Sequence, residues 1–78
     1  MKEVYKKILP EYYEAVISGK KRFELRKDED HIEVGDTLVL NEWTGERYTG
    51  RQYSTYVKYV LRNVPEYGLM DGYCIIGF

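Results

Sequence analysis

Seventy-eight residues carrying 12 Lys and Arg against 13 Asp and Glu give a net charge of −1, so overall charge supplies no electrostatic reason to expect a nucleic-acid partner. A chain this short is one domain, residues 1–78, that buries roughly 60% of its unfolded surface, so its core is thin. A single cysteine, Cys74, excludes an internal disulfide that could reinforce it.

The N-terminal MKEVYKK lacks the apolar stretch of a signal peptide. No apolar run nears the roughly 20 residues that span a membrane. Together with the lone thiol these features predict a cytoplasmic protein with no membrane partner. Cys74 lies in the apolar run YCIIGF and is expected to be a small buried hydrophobe. His31, the only histidine, sits in the polar stretch DEDHIE, and no set of ligands accompanies either residue. Neither a metal nor a cofactor is expected.

Residues 2–8, KEVYKKI, alternate loosely and predict a first strand. Pro10 then opens a helix at the position where its missing N–H costs nothing, with Glu11 and Glu14 favouring the positive end of the helix dipole. Leu9, Tyr13, Val16 and Ile17 recur at helical spacing and make its expected buried stripe. Ser18-Gly19 ends it, Gly19 taking the left-handed cap.

From Lys20 the period becomes two. Phe23 and Leu25 form an apolar face and Arg22, Glu24 and Arg26 a charged one. Charge is distributed unevenly here: residues 20–27 hold five cations and one acid, residues 28–36 five acids and no Lys or Arg. The acidic part reads as a loop ending in a Val34-Gly35-Asp36 turn, with Gly35 structural. TLVLNEW alternates as the next strand, Leu38 and Leu40 opposite Trp43. TGERYTG, bracketed by Gly45 and Gly50, predicts a hairpin loop. Residues 51–64 then form one long β-rich run with Val57, Tyr59 and Leu61 on one face. Pro65 to Gly68 make a turn, and GYCIIGF closes the chain as a mostly buried strand. A strand, a helix and four further strands give an α+β, mostly β domain: a small, mostly antiparallel barrel with the N-terminal helix packed on it.

Gly19, Lys21, Glu24 and Arg26 spell G-x-K-x-x-E-x-R. Arg26 offers a planar fork suited to a phosphate or a base edge. Glu24, two residues earlier on the same face, can hold that fork or accept from an exocyclic amine, and Lys21 supplies a point charge. The alternative is a surface ion pair worth about 0–1 kcal/mol. Trp43 either stacks on a base or closes a barrel end. Tyr12 either lines a cleft or is an amphipathic surface aromatic. Arg47, Tyr48 and Arg51 form a basic-aromatic cluster that either tracks a phosphate backbone or is a solvated loop.

The motif does not stand alone. With the flanking run from Pro10 to Trp43, YTGR at Tyr48 to Arg51 and the terminal GYCIIGF, the chain resembles the ASCH domain, a branch of the PUA-like superfamily, in its small stand-alone bacterial and phage form. The resemblance covers nearly the whole chain. It implies a PUA-like β-barrel with a cleft between the first helix and the strands, lined by the motif. It further implies a ligand that is RNA or a modified nucleoside or nucleotide, bound by Lys21, Glu24, Arg26, Trp43 and Tyr12, with Arg47, Tyr48 and Arg51 as further nucleic-acid contacts. Two alternatives accompany this binding reading. Some ASCH proteins hydrolyse acetylated cytidine; their pattern has threonine where this chain has Glu24, so only Lys21 carries over, and Lys21 with Glu24 would be the catalytic pair. Others belong to transcriptional coactivators, which implies a protein partner in transcription or translation.

Overall fold

In the computed structural model, which describes Met1–Phe78, six strands, one α-helix and one 3-10 turn follow in the order β1 (Glu3–Ile8), α1 (Pro10–Ile17), β2 (Phe23–Lys27), β3 (Thr37–Trp43), β4 (Tyr48–Tyr56), β5 (Tyr59–Leu61), the turn Pro65–Tyr67 and β6 (Tyr73–Gly77). The domain is α+β and mostly β. Its strands form two three-stranded sheets, β1-β3-β4 and β2-β6-β5. β1 runs parallel to β3 and every other pairing is antiparallel. A parallel neighbour needs a long crossover, which α1, β2 and the acidic loop provide.

Between the sheets lies a core of eleven residues that includes Val4, Ile8, Leu38, Leu40, Cys74 and Ile76. Alternation sets the inward face of each strand. Val4 pairs with Leu38 in one sheet, and Glu24 and Val60 flank Ile76 in the other. Helix α1 starts with Pro at its first turn and ends at Gly19, whose φ of 81° is the left-handed conformation expected there.

Five expectations about individual elements are corrected. On α1 only Tyr13 and Val16 are buried, while Leu9 and Ile17 are exposed; eight residues are two turns, too few to wrap a wider stripe onto β3. On β2 the expected faces are reversed. Glu24 is 4% exposed, whereas Phe23 and Leu25 are 48% and 56% exposed.

The hairpin loop is shorter than TGERYTG, since β4 begins at Tyr48. The long run after it is also two strands, giving five strands after the helix. At Val57-Lys58 the backbone changes partners: Val57 donates its N–H to the Asp36 carbonyl (2.9 Å), and Lys58 donates to that of Gly77 (2.8 Å). The chain thereby bends from one sheet into the other. Val57 is buried while Tyr59 points outward, so the two do not share a face.

Candidate functional site

The reversed face of β2 borders a concavity. A groove of about 510 Å³ opens between the end of β1, the start of α1 and β2, lined by Lys7, Ile8, Leu9, Tyr12, Lys21, Phe23, Glu24, Leu25 and Arg26. Lys21, Glu24 and Arg26 therefore converge, and Tyr12 joins them.

Glu24 is the hub. Lys21 Nζ donates to Oε1, Arg26 Nε donates to Oε2 at 3.1 Å, and Arg26 Nη2 lies 2.9 Å from the same oxygen. A buried carboxylate is tolerated only when it brings its own counter-charges and donors, and here they come from the same strand segment. Arg26 Nη2 also donates to the Lys7 carbonyl at 2.5 Å, which fixes the fork against β1. The fork is thus held on one side, and Nη1 makes no hydrogen bond within the protein. Lys21 likewise gives only one of its three N–H donors to Glu24. The rings of Tyr12 and Phe23 stand 5.5 Å and 5.1 Å from Lys21 Nζ. The groove combines free cationic donors at its floor with two aromatic walls, a set suited to a planar group bearing acceptors or negative charge.

Trp43 and Tyr48 meet edge to face, ring centroids 4.8 Å apart, and Lys7 Nζ lies 4.1 Å from the centre of the Trp43 ring. Lys7 thus links this aromatic pair to the groove. Arg51 is drawn elsewhere. Its Nε and Nη2 each donate to the buried Glu42 at 2.9 Å, Nη2 also donates to Glu14 at 2.7 Å, and its guanidinium lies on the Tyr13 ring. That arrangement clamps α1 to β4 and, as in Arg26, leaves only Nη1 without a hydrogen bond within the protein. Arg47 makes only backbone contacts in the hairpin, its carbonyl accepting from Thr44. Gly35 turns the chain with φ 94°, where an added Cβ would stand 3.1 Å from Met1 Sδ.

Three further carboxylates have structural posts. Asp36 accepts from the backbone N–H of Lys2, from that of Glu33 and from Lys2 Nζ, which lower its pKa to about 2. Hydrogen bonds from Arg51 and Thr49 lower that of Glu42, and a bidentate bond from Arg62 lowers that of Asp28. Burial raises the pKa of the Cys74 thiol, which keeps it a thiol and a poor nucleophile. No three His, Cys, Asp or Glu side chains gather closely enough to hold a metal ion.

The profile of a family described as a domain of unknown function (DUF3850) matches residues 5–78. The chain belongs to that family. This DUF3850 chain is also similar to a protein of Escherichia phage P2 described as an uncharacterized 12.9 kDa protein in the GpA 3' region, with 46% identity over 46 residues. The match covers 59% of this chain and 42% of the phage protein, so the chain spans less than half the length of that relative.

Of the five residues expected at the cleft of this DUF3850 domain, Lys21, Glu24, Arg26 and Tyr12 line the groove and Trp43 does not, while Lys7, Ile8, Leu9, Phe23 and Leu25 line it without having been expected there. The available signal was Glu24 itself. A lone acid flanked by Lys21 and Arg26 is a self-neutralising set that can turn inward, and doing so turns its apolar neighbours out.

Proposed function

We propose that this domain is a binding module for RNA or a modified nucleoside or nucleotide, on an ASCH-type, PUA-like scaffold. The observation that carries the reading is the convergence of Lys21, Arg26, Tyr12 and Phe23 around the buried Glu24 in one groove. Glu24 acts as the positioning residue, since both its oxygens accept from cations. The free donors of Arg26 and Lys21 meet the ligand's acceptors or phosphate, and the base lies between the rings. The passage of one continuous segment from β4 into β5 across the corner at Val57-Lys58, joining two sheets around one core, supports the barrel-like scaffold. Hydrolysis of an acetylated nucleoside needs a proton acceptor open to a bound water. Glu24 is the only carboxylate lining the groove and it is engaged twice, which favours binding over catalysis.

The test is a titration with nucleosides, nucleotides and a panel of short RNAs at low salt. It is followed by amide shifts of residues 19–27 and by Trp43 fluorescence. Trp43 reports because a ligand that recruits Lys7 pulls its ammonium off the indole. Binding that moves these signals and is lost in Arg26→Ala supports the reading; silence across the panel refutes it.

A second reading rests on apolar residues beside the groove, Leu25 being common to both. The outer side of β2-β6-β5 presents Leu25 and Tyr59 to solvent, joined by Met70 before β6. Exposed apolar residues of this kind suit a protein partner in transcription or translation. Capture of a partner that survives Arg26→Ala and is lost in Tyr59→Lys would favour it.

A further inference from the structure

On the other side of Lys21 lies a second depression of about 350 Å³, between the C-terminal end of α1 and β4. Lys21 lines both hollows. Around it here stand Arg22 and Lys58, with Tyr53 and Tyr56 on the β4 side, and no Asp or Glu lines the space. Arg22 and Lys58 enter none of the ion pairs that occupy Lys2, Lys6, Lys21, Arg26, Arg51 and Arg62. In a chain of net charge −1, Arg22 and Lys58 are thus two side-chain cations without a side-chain counter-charge, beside a hollow that Phe78 also lines. At the helix end facing this space the carbonyls of Glu14, Ala15 and Val16 accept N–H donors from Ser18, Lys20, Lys21 and Gly19, which satisfies three of its terminal carbonyls. Tyr56 is exposed and offers its ring as a platform, while Tyr53 is half-buried against the core.

We propose that the ligand is a single-stranded polynucleotide, a dinucleotide or longer, that spans both hollows across Lys21. This rests on the binding reading given above for the first groove. One base enters between Tyr12 and Phe23, the adjoining phosphate crosses Lys21, and the next base stacks on Tyr56 while Arg22 and Lys58 hold the backbone. Linked sites of this sort gain affinity because the second contact becomes intramolecular. Stacking tolerates any base because every base has a π-face. The shared chemistry of the ligand is a phosphodiester between two bases, which RNA and DNA both carry.

The experiment compares a mononucleotide with RNA and DNA oligomers of increasing length. Affinities are measured on the wild-type chain, on Tyr56→Ala and on the double variant Arg22→Ala/Lys58→Ala, across a salt series. Affinity is expected to rise roughly tenfold or more from monomer to short oligomer and then level off. The double variant is expected to lose that gain, to lower the logarithmic salt slope by roughly 1.4, as two lost contacts to a single strand require, and to bind the mononucleotide as the wild type does. On the unmodified chain, amides 53–58 should shift with oligomers and stay still with the mononucleotide, a readout independent of any variant's folding. A gain with RNA alone assigns the second contact to the 2′-hydroxyl strand, and a gain with both assigns it to the shared backbone; either supports the proposal. Oligomers no tighter than the mononucleotide, or still amides 53–58, overturn it and leave the binding reading standing. Failure of every ligand at the first groove overturns both.

Discussion

Arg51 meets Glu42 fork to fork across neighbouring strands, with Nε 2.9 Å from Oε1 and Nη2 2.9 Å from Oε2, and the same Nη2 reaches Glu14 on the helix. Three elements are thereby tied through one side chain. Arg51→Ala leaves Glu42 buried with Thr49 as its remaining partner, and should lower the melting temperature by roughly 5 °C or more. Arg51→Lys should recover little, because a point ammonium cannot make the two parallel bonds. Ligand affinity at the Lys21 groove should be unchanged in protein that remains folded. Thermal unfolding followed by circular dichroism, with a titration on the folded variant, checks both statements.

Acid should unfold this domain early. Asp36 titrates at about 2 when folded against an ordinary 3.8, and Glu42 and Asp28 are also lowered. A lowered folded pKa means that the unfolded chain takes up protons first. The stabilisation is therefore fully present above the ordinary carboxylate range and disappears as pH falls from about 4 toward about 2. Denaturation midpoints measured between pH 7 and pH 2 should hold steady and then drop in that window. In Asp36→Asn the drop should be smaller, from a lower starting stability.

Glu24→Ala removes the acceptor between Lys21 and Arg26 and leaves two neighbouring cations without a counter-charge, a cost of about 1–3 kcal/mol. Nucleotide affinity should fall about tenfold even where folding is retained, because the Arg26 fork loses its brace. Glu24→Gln keeps an acceptor and should lie between the variant and the wild type. Isothermal titration alongside urea unfolding separates the two effects.

Phe23 and Ile76, on adjacent strands, should respond in opposite ways. Phe23→Ala removes an exposed groove wall and should leave stability nearly intact while costing about 1–3 kcal/mol of binding, the worth of one stacked base. Ile76→Ala opens a cavity in a core of eleven residues and should cost about 2–5 kcal/mol of stability. Loss of stability in Phe23→Ala comparable to that in Ile76→Ala would mean that β2 keeps its apolar side inward.

Punctuation and period carried the sequence reading as far as local rules reach. Pro10 and Gly19 bound the helix, Gly35 marks the turn before β3, and the alternation of Leu38 and Leu40 picks out the side of β3 that joins the core cluster, although Val39 on the other side is buried as well. Spacing of two and three residues put Lys21, Glu24 and Arg26 in one segment but left a surface ion pair as open as a site; the shared cleft was what the family resemblance implied. What failed depended on distant partners. The orientation of β2 is decided by Ile76 and by the ion-paired hub. The break at Val57 is decided by the Asp36 and Gly77 carbonyls. Arg51 is claimed by Glu42 and by Glu14, 37 positions away. Ile32, an isolated apolar residue among acids, is buried because Arg62 grips its carbonyl and Asp28 together. None of these pairings leaves a periodic trace.

Because so slight an apolar interior is flanked by ionic latches at Asp36, Glu24, Glu42 and Asp28, the choice of chemical denaturant matters for this molecule. Guanidinium chloride is itself an electrolyte, and at 1 M it shrinks electrostatic reach to about 3 Å, whereas urea leaves the latches charged and unshielded. Extrapolations to water from the two reagents should therefore disagree, the guanidinium value being the lower, and their difference measures how much of the cohesion is ionic rather than greasy.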